Sequence, residues 1–170
     1  MSKSQAQNII VILNNIRSSE NVGSIFRTCD ATSVSKIILC GYTPAPIDCF
    51  GRENKKLTKA ALGAEKTVEW EKEESLEVAS LKVKKLGYKI IGIEQDKNAI
   101  NYQGLKSKLL TRNPKPALVF GNEIEGLSKE DLKLCDIIAE LPMLGAKESL
   151  NVSVCAGIVL YSLITNYINN

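Results

Sequence analysis

The residues able to do chemistry fall into three short polar clusters, each placed where an apolar run ends. The first is NNIRSSENVGSIFRTCDA, Asn14 to Ala31, following the apolar run Ile9–Leu13. In it, Asn21 suits a helix N-cap and Gly23 permits close approach of the backbone. Arg27 follows six residues after Asn21, emerging beside a helical stripe of Val22, Ile25, Phe26 and Cys29. The second is VFGNEIEGLS, Val119 to Ser128, in which a buried strand ends at Gly121 and Asn122, Glu123, Glu125 and Gly126 follow. The third is LPMLGAKESLNVSV, from Leu141, where a strand ends, a loop follows and an apolar helix begins. Ser149 could cap that helix or face a ligand. Asn151 falls in its first turn, where Asn is a mediocre helix former and capping by Ser149 leaves it unexplained. Each cluster has a structural reading beside the functional one: a salt-bridged arginine, a polar turn, a helix cap. Their repetition at three strand ends favours ligand binding, because parallel α/β sheets bind ligands beyond the carboxyl ends of their strands.

Composition narrows the chemistry. The chain has no histidine, which removes Ser-His-Asp and Cys-His catalysis, H-E-x-x-H zinc sites and histidine proton shuttles. Five cysteines with no C-x-x-C pair read as free, mostly buried thiols in a reducing compartment, and their spacing suggests no zinc site. Neither G-x-G-x-x-G nor G-x-x-x-x-G-K-[ST] occurs. Any chemistry must use Arg, Lys, Glu, Asp, Ser, Asn, Tyr or backbone groups. The net charge of +3 is compatible with nucleic-acid binding. No run has the length and apolarity of a membrane span and the start lacks a secretory core, so the expectation is a soluble, cytoplasmic protein without a metal.

The elements that must position these clusters are legible in outline. Ile9–Leu13, Lys36–Cys40, Lys89–Glu94, Ala117–Phe120 and Ile137–Leu141 are short, β-branched and continuously apolar, the signature of parallel strands buried on both faces. Helical patterns cover Val22–Ala31, Glu73–Leu86, Leu127–Leu134 with Ser128 as N-cap, and Leu150 to about Tyr167. The alternation predicts one α/β domain over residues 1–170, with five or six parallel strands flanked by helices. Two long segments read as loops. One, after the second strand, carries Arg52, Lys55, Lys56, Lys59 and Lys66; the other, before the fourth, carries Lys106, Lys108, Arg112 and Lys115. Each lysine taken singly reads as solvated surface charge.

In order, the clusters resemble the three motifs of the SpoU/TrmH family of RNA 2′-O-ribose methyltransferases, part of the SPOUT superfamily. The matching residues are Asn21, Gly23 and Arg27; then Gly121, Glu123, Gly126 and Leu127; then Pro142, Met143, Ser149, Leu150, Asn151, Val152 and Ser153. The likeness spans about Ile9 to Tyr161. It implies a C-terminal deep trefoil knot, an exception to ordinary chain topology, and S-adenosylmethionine as cofactor. Backbone groups around Ile93, Gly121, Leu141 and Leu150 would hold that cofactor, with Glu94 and Met143 as neighbours. It implies a homodimer through the first-motif helix and the last helix, where Ala156 and Gly157 suit close contact. Arg27 would act on the 2′-hydroxyl, with Asn21, Glu123, Ser149 and Asn151 orienting it and the ribose. The expected substrate is tRNA or otherwise rRNA. Lacking the flanking RNA-binding extensions of larger members, the chain is expected to use Arg52, Lys55, Lys56 and Lys59 as RNA surface. The alternatives are a non-catalytic RNA-binding module of this fold and a base N-methyltransferase.

Overall fold

The computed structural model describes residues 7–109 and 115–164. Among them seven strands form one sheet in the order β3-β2-β1-β6-β4-β7-β5, and every pairing is parallel. The strands are β1 (Gln7–Asn14), β2 (Val34–Cys40), β3 (Glu69–Glu73), β4 (Lys89–Ile93), β5 (Ile100–Asn101), β6 (Pro116–Phe120) and β7 (Ile137–Glu140). The helices are α1 (Ser19–Ala31), α2 (Lys55–Ala61), α3 (Ala64–Thr67), α4 (Leu76–Lys85), α5 (Leu105–Leu109), α6 (Lys129–Leu134) and α7 (Val152–Ile164).

The period-two alternation of a strand explains the layering. Ile9, Val11 and Leu13 enter one core with Phe26 of α1, Leu57 of α2 and Val159 of α7. Ile10 and Ile12 enter the other with Ala79 and Val83 of α4 and Leu127. Strands so enclosed have no polar face, which is why their sequences read as continuous apolar runs.

Two strands were not anticipated. β3 reads EWEKE and pairs only with β2. As an edge strand its charges are tolerated, and they are neutralised locally. Lys36 reaches Glu69 at 2.6 Å and Glu71 at 3.4 Å, and Lys82 of α4 lies 2.9 Å from both Glu71 and Glu73. β5 has two residues paired to β7. Both expected loops also carry helix: α2 and α3 lie in the first, a 3-10 turn (Tyr102–Gly104) and α5 in the second. The expected Arg112 and the continuation of the last helix past residue 164 lie outside the described residues. No helix among the described residues is long and apolar enough to cross a membrane.

Candidate active site

Asn21 is where the three clusters meet, bonded to Glu123 of the second and Asn151 of the third. β6 ends at Phe120, and the chain turns tightly: the Gly126 N–H donates to the Asn122 carbonyl at 2.9 Å. The turn needs two glycines. Gly126 has φ +66°, and a Cβ on Gly121 would sit 2.5 Å from the Gly126 carbonyl carbon. Asn122 fixes the turn from within. Its Oδ1 accepts from the N–H of Ile124 and Glu125, and its Nδ2 donates to the Asn15 carbonyl and to the Tyr42 hydroxyl. The second motif is thereby tied to the ends of β1 and β2.

The turn presents the Glu123 carboxylate to the N-terminal end of α1. Oε2 accepts from the Arg17 N–H at 2.9 Å, and Oε1 accepts from the Ser18 N–H and from Asn21 Nδ2, each at 3.0 Å. Partial burial pushes this carboxyl up, but those three donors outweigh it and hold it below its ordinary value. The positive end of the helix dipole favours the same ionised state. Because an ionised carboxylate can only accept, Asn21 turns its amide nitrogen to Glu123 and its oxygen to Asn151, whose Nδ2 donates at 3.1 Å. The Asn151 oxygen in turn accepts from the Ser153 N–H at 2.8 Å and hydroxyl at 2.6 Å. One hydrogen-bonded chain, Glu123–Asn21–Asn151–Ser153, thus joins all three motifs.

Two capping assignments change. Ser18, not Asn21, caps α1: its Oγ accepts from the Asn21 N–H, which frees the Asn21 amide to face Glu123. Asn151, not Ser149, stands before α7 and accepts from the N–H two residues on. Asn151 therefore lies outside the first turn, and Ser149 is left exposed in the preceding loop.

Beside this chain lies an open cleft of about 190 Å³ at the carboxyl ends of β4, β6 and β7. All six residues expected around a cofactor, Ile93, Glu94, Gly121, Leu141, Met143 and Leu150, line it, as do Glu123 and Ser149. Glu94 is seated by the second-motif turn, its Oε2 accepting from the Leu127 N–H at 2.8 Å and its Oε1 from the Gln95 N–H at 2.9 Å. Gln95 then donates from Nε2 to the Glu148 carbonyl at 2.6 Å, holding the loop that carries Ser149 and Leu150. Glu94, Glu123 and Glu125 all line the cleft, and no lysine or arginine among the described residues does.

Arg27 is not brought to this cluster within one chain. It does not line the cleft. Six residues along α1 turn it about 120° from Asn21 and carry it about 9 Å along the axis. It lies instead on an outer stripe with Glu20, Ser24 and Ala31, and is exposed. Arg52, Lys55, Lys56 and Lys59 are also exposed and line no part of the cleft. Arg52 precedes α2 and the three lysines lie along it, Lys59 in its last turn; at its N-cap, Asn54 Nδ2 donates to Ser19 Oγ at 3.0 Å. Asn122 stands in the second cluster without an assigned role, and Ser18 and Gln95 are not singled out by the sequence. Ser18, Ser19 and Asn21 are all cap formers, so the sequence alone does not single out Ser18; nothing local marks Gln95.

The family model described as SpoU rRNA Methylase family matches residues 8–161. A tRNA (guanosine(18)-2′-O)-methyltransferase of Aquifex aeolicus is 32% identical over 155 residues, covering 91% of this chain and 68% of the relative. A 23S rRNA (guanosine-2′-O-)-methyltransferase of Neisseria meningitidis is 32% identical over 152 residues, covering 89% and 56% respectively. The crystal structure of an A. aeolicus TrmH/SpoU tRNA modifying enzyme superposes with a TM-score of 0.79 at 28% identity, over 96% of this chain and 77% of that one. An AdoMet-bound rRNA methyltransferase from Sinorhizobium meliloti shares the fold, with a TM-score of 0.80 at 22% identity, over 98% of this chain and 59% of that one.

Proposed function

The chain belongs to the SpoU rRNA methylase family, and on that premise we propose that it methylates a ribose 2′-hydroxyl of structured RNA with S-adenosylmethionine as donor. The observation that carries this reading is the chain Glu123–Asn21–Asn151, which gathers the three motifs at the lip of one cleft. The substrate is tRNA foremost and rRNA otherwise, in keeping with the names of the relatives.

The residues of the cleft fit the cofactor. Ile93, Leu141, Met143 and Leu150 offer apolar walls for a flat purine, and Gly121 lines the cleft beside them. Glu94, Glu123 and Glu125 supply negative charge, with no cation beside them among the described residues, which suits a cationic sulfonium. When bound, the cofactor supplies a methyl group already activated for displacement by an oxygen nucleophile. What the protein must add is orientation. Glu123, held ionised, is a poor base and a good anchor: it fixes Asn21, and Asn21 fixes Asn151. The Arg27 guanidinium, a planar set of donors with no acceptor, acts as a fork that holds an RNA phosphate and the ribose hydroxyl. Held in this way, the ribose hydroxyl would have an RNA phosphate or water beside it to take its proton.

Arg27 reaches this centre from a second copy of the chain. α7 leaves Val154 and Tyr161 half exposed on an otherwise apolar helix, and α1 carries Arg27 on its outer stripe. A homodimer through these two helices covers both. The segment from β7 through α7 is read as the threaded part of the trefoil knot, and the protein as cytoplasmic, together with its RNA.

Radiolabelled methyl transfer from S-adenosylmethionine to total tRNA and rRNA, followed by nucleoside analysis, tests the proposal. Label in a 2′-O-methylnucleoside is the expected result. Label in a methylated base, or none in either RNA, sinks it.

A further inference from the structure

We propose that Phe50 and Arg52 form a pre-set stacking platform for an unpaired base of the RNA substrate, beside the methylation centre. This rests on the reading of the chain as an RNA methyltransferase. Phe50 is 78% exposed. A lone exposed apolar side chain is ordinary; what sets this one apart is how it is held. The Asp48 carboxylate accepts from the N–H of Phe50 and of Arg52, each at 2.9 Å, and from Arg52 Nε at 2.7 Å. Asp48 and Arg52 exchange a further backbone bond at 3.0 Å, the Gly51 N–H returns to the Asp48 carbonyl, and Ile47 bridges Glu53. The Arg52 guanidinium lies 5.0 Å from the centre of the Phe50 ring.

A fixed aromatic face with a stacked guanidinium is what an unstacked base binds, because every base has a π-face and Arg adds cation–π attraction. The surroundings favour RNA over a protein partner: Lys55, Lys56 and Lys59 stand exposed on the next helix. The chain just after the platform is tied to the site. Asn54, which caps α2, donates to Ser19 Oγ, and the neighbouring Ser18 N–H donates to Glu123. A continuous duplex would offer its phosphates to these lysines but no base to Phe50. The chain therefore selects RNA with an unpaired nucleotide near its target, more by structure than by sequence.

Equilibrium binding to a synthetic RNA stem–loop and to a blunt RNA duplex of the same length and composition tests this across a salt series. Phe50→Ala should weaken stem–loop binding about tenfold, leaving duplex affinity and the salt slope unchanged. Phe50→Trp should retain binding, its fluorescence quenched by the stem–loop and not by the duplex. Asp48→Ala should weaken stem–loop binding although it removes a negative charge. Unchanged stem–loop affinity in Phe50→Ala, an equal loss on both RNAs, or tighter binding by Asp48→Ala overturns the platform. So does a changed oligomeric state with RNA affinity intact, which marks a protein contact. Binding needs no methyl transfer, so loop-selective binding without turnover strikes only the catalytic reading. Turnover with unselective binding strikes only the platform.

Discussion

A carboxylate that already accepts three N–H bonds has little capacity left for a substrate proton, and Glu123 owes its ionised state to those bonds. Its folded-state pKa lies below the ordinary value of 4.5, so its contribution to stability is present above that value and fades as pH falls through the folded one. Glu123→Gln should cost about 1–3 kcal/mol at neutral pH. The wild-type protein should lose that advantage on acidification, so the two melting temperatures should converge in a pH series; parallel curves would contradict the linkage. Arg27 behaves differently because nothing in the described chain holds it. Arg27→Ala should leave melting temperature and S-adenosylmethionine affinity nearly unchanged, yet lower methyl transfer by about 100-fold or more. Retained turnover would remove Arg27 from the chemistry.

Between elements, steric limits decide. Gly23 was marked in the sequence for close backbone approach, and the approaching backbone is that of α2: a Cβ there would fall 2.3 Å from the Leu57 carbonyl oxygen and 2.8 Å from the Ala60 Cβ. Gly23→Ala must part α1 from α2 and should destabilise by about 1–3 kcal/mol, measured by urea unfolding. On the far face, Ser128 and Asp131 form a reciprocal capping box at α6, and Ser128→Ala should cost about 1 kcal/mol. That cap was legible because Ser128 stands alone before a helical pattern. At α1 the signal was ambiguous, since Ser18, Ser19 and Asn21 are all cap formers and only the Glu123 contact assigns Asn21 elsewhere. β3 was illegible for another reason. Its apolar content is one half-buried Trp70 among charges, and what makes it a strand is β2 alongside it.

At the scale of the whole molecule, residues about 100 positions apart in the chain converge, and motif spacing in the sequence anticipated that convergence without its geometry. The bonds of Asn21 to both Glu123 and Asn151 depend on tertiary packing, and no local pattern encodes them. Nor does sequence reveal that Arg27 faces away from its own cleft. A dimer sharing its sites across protomers makes a sharp prediction. Heterodimers of Arg27→Ala with Glu123→Gln hold one undamaged centre and should regain activity that neither homodimer has; no recovery would place both residues in one protomer. The sheet order matters for synthesis as well. β6 lies between β1 and β4, so a ribosome must release about two thirds of the chain before the middle of the sheet can close. Until then β4 has neither of its flanking strands, and β1 presents a bare apolar edge to other chains. A fragment ending before β6 should therefore expose that edge and aggregate rather than fold, which light scattering of the truncated chain would show.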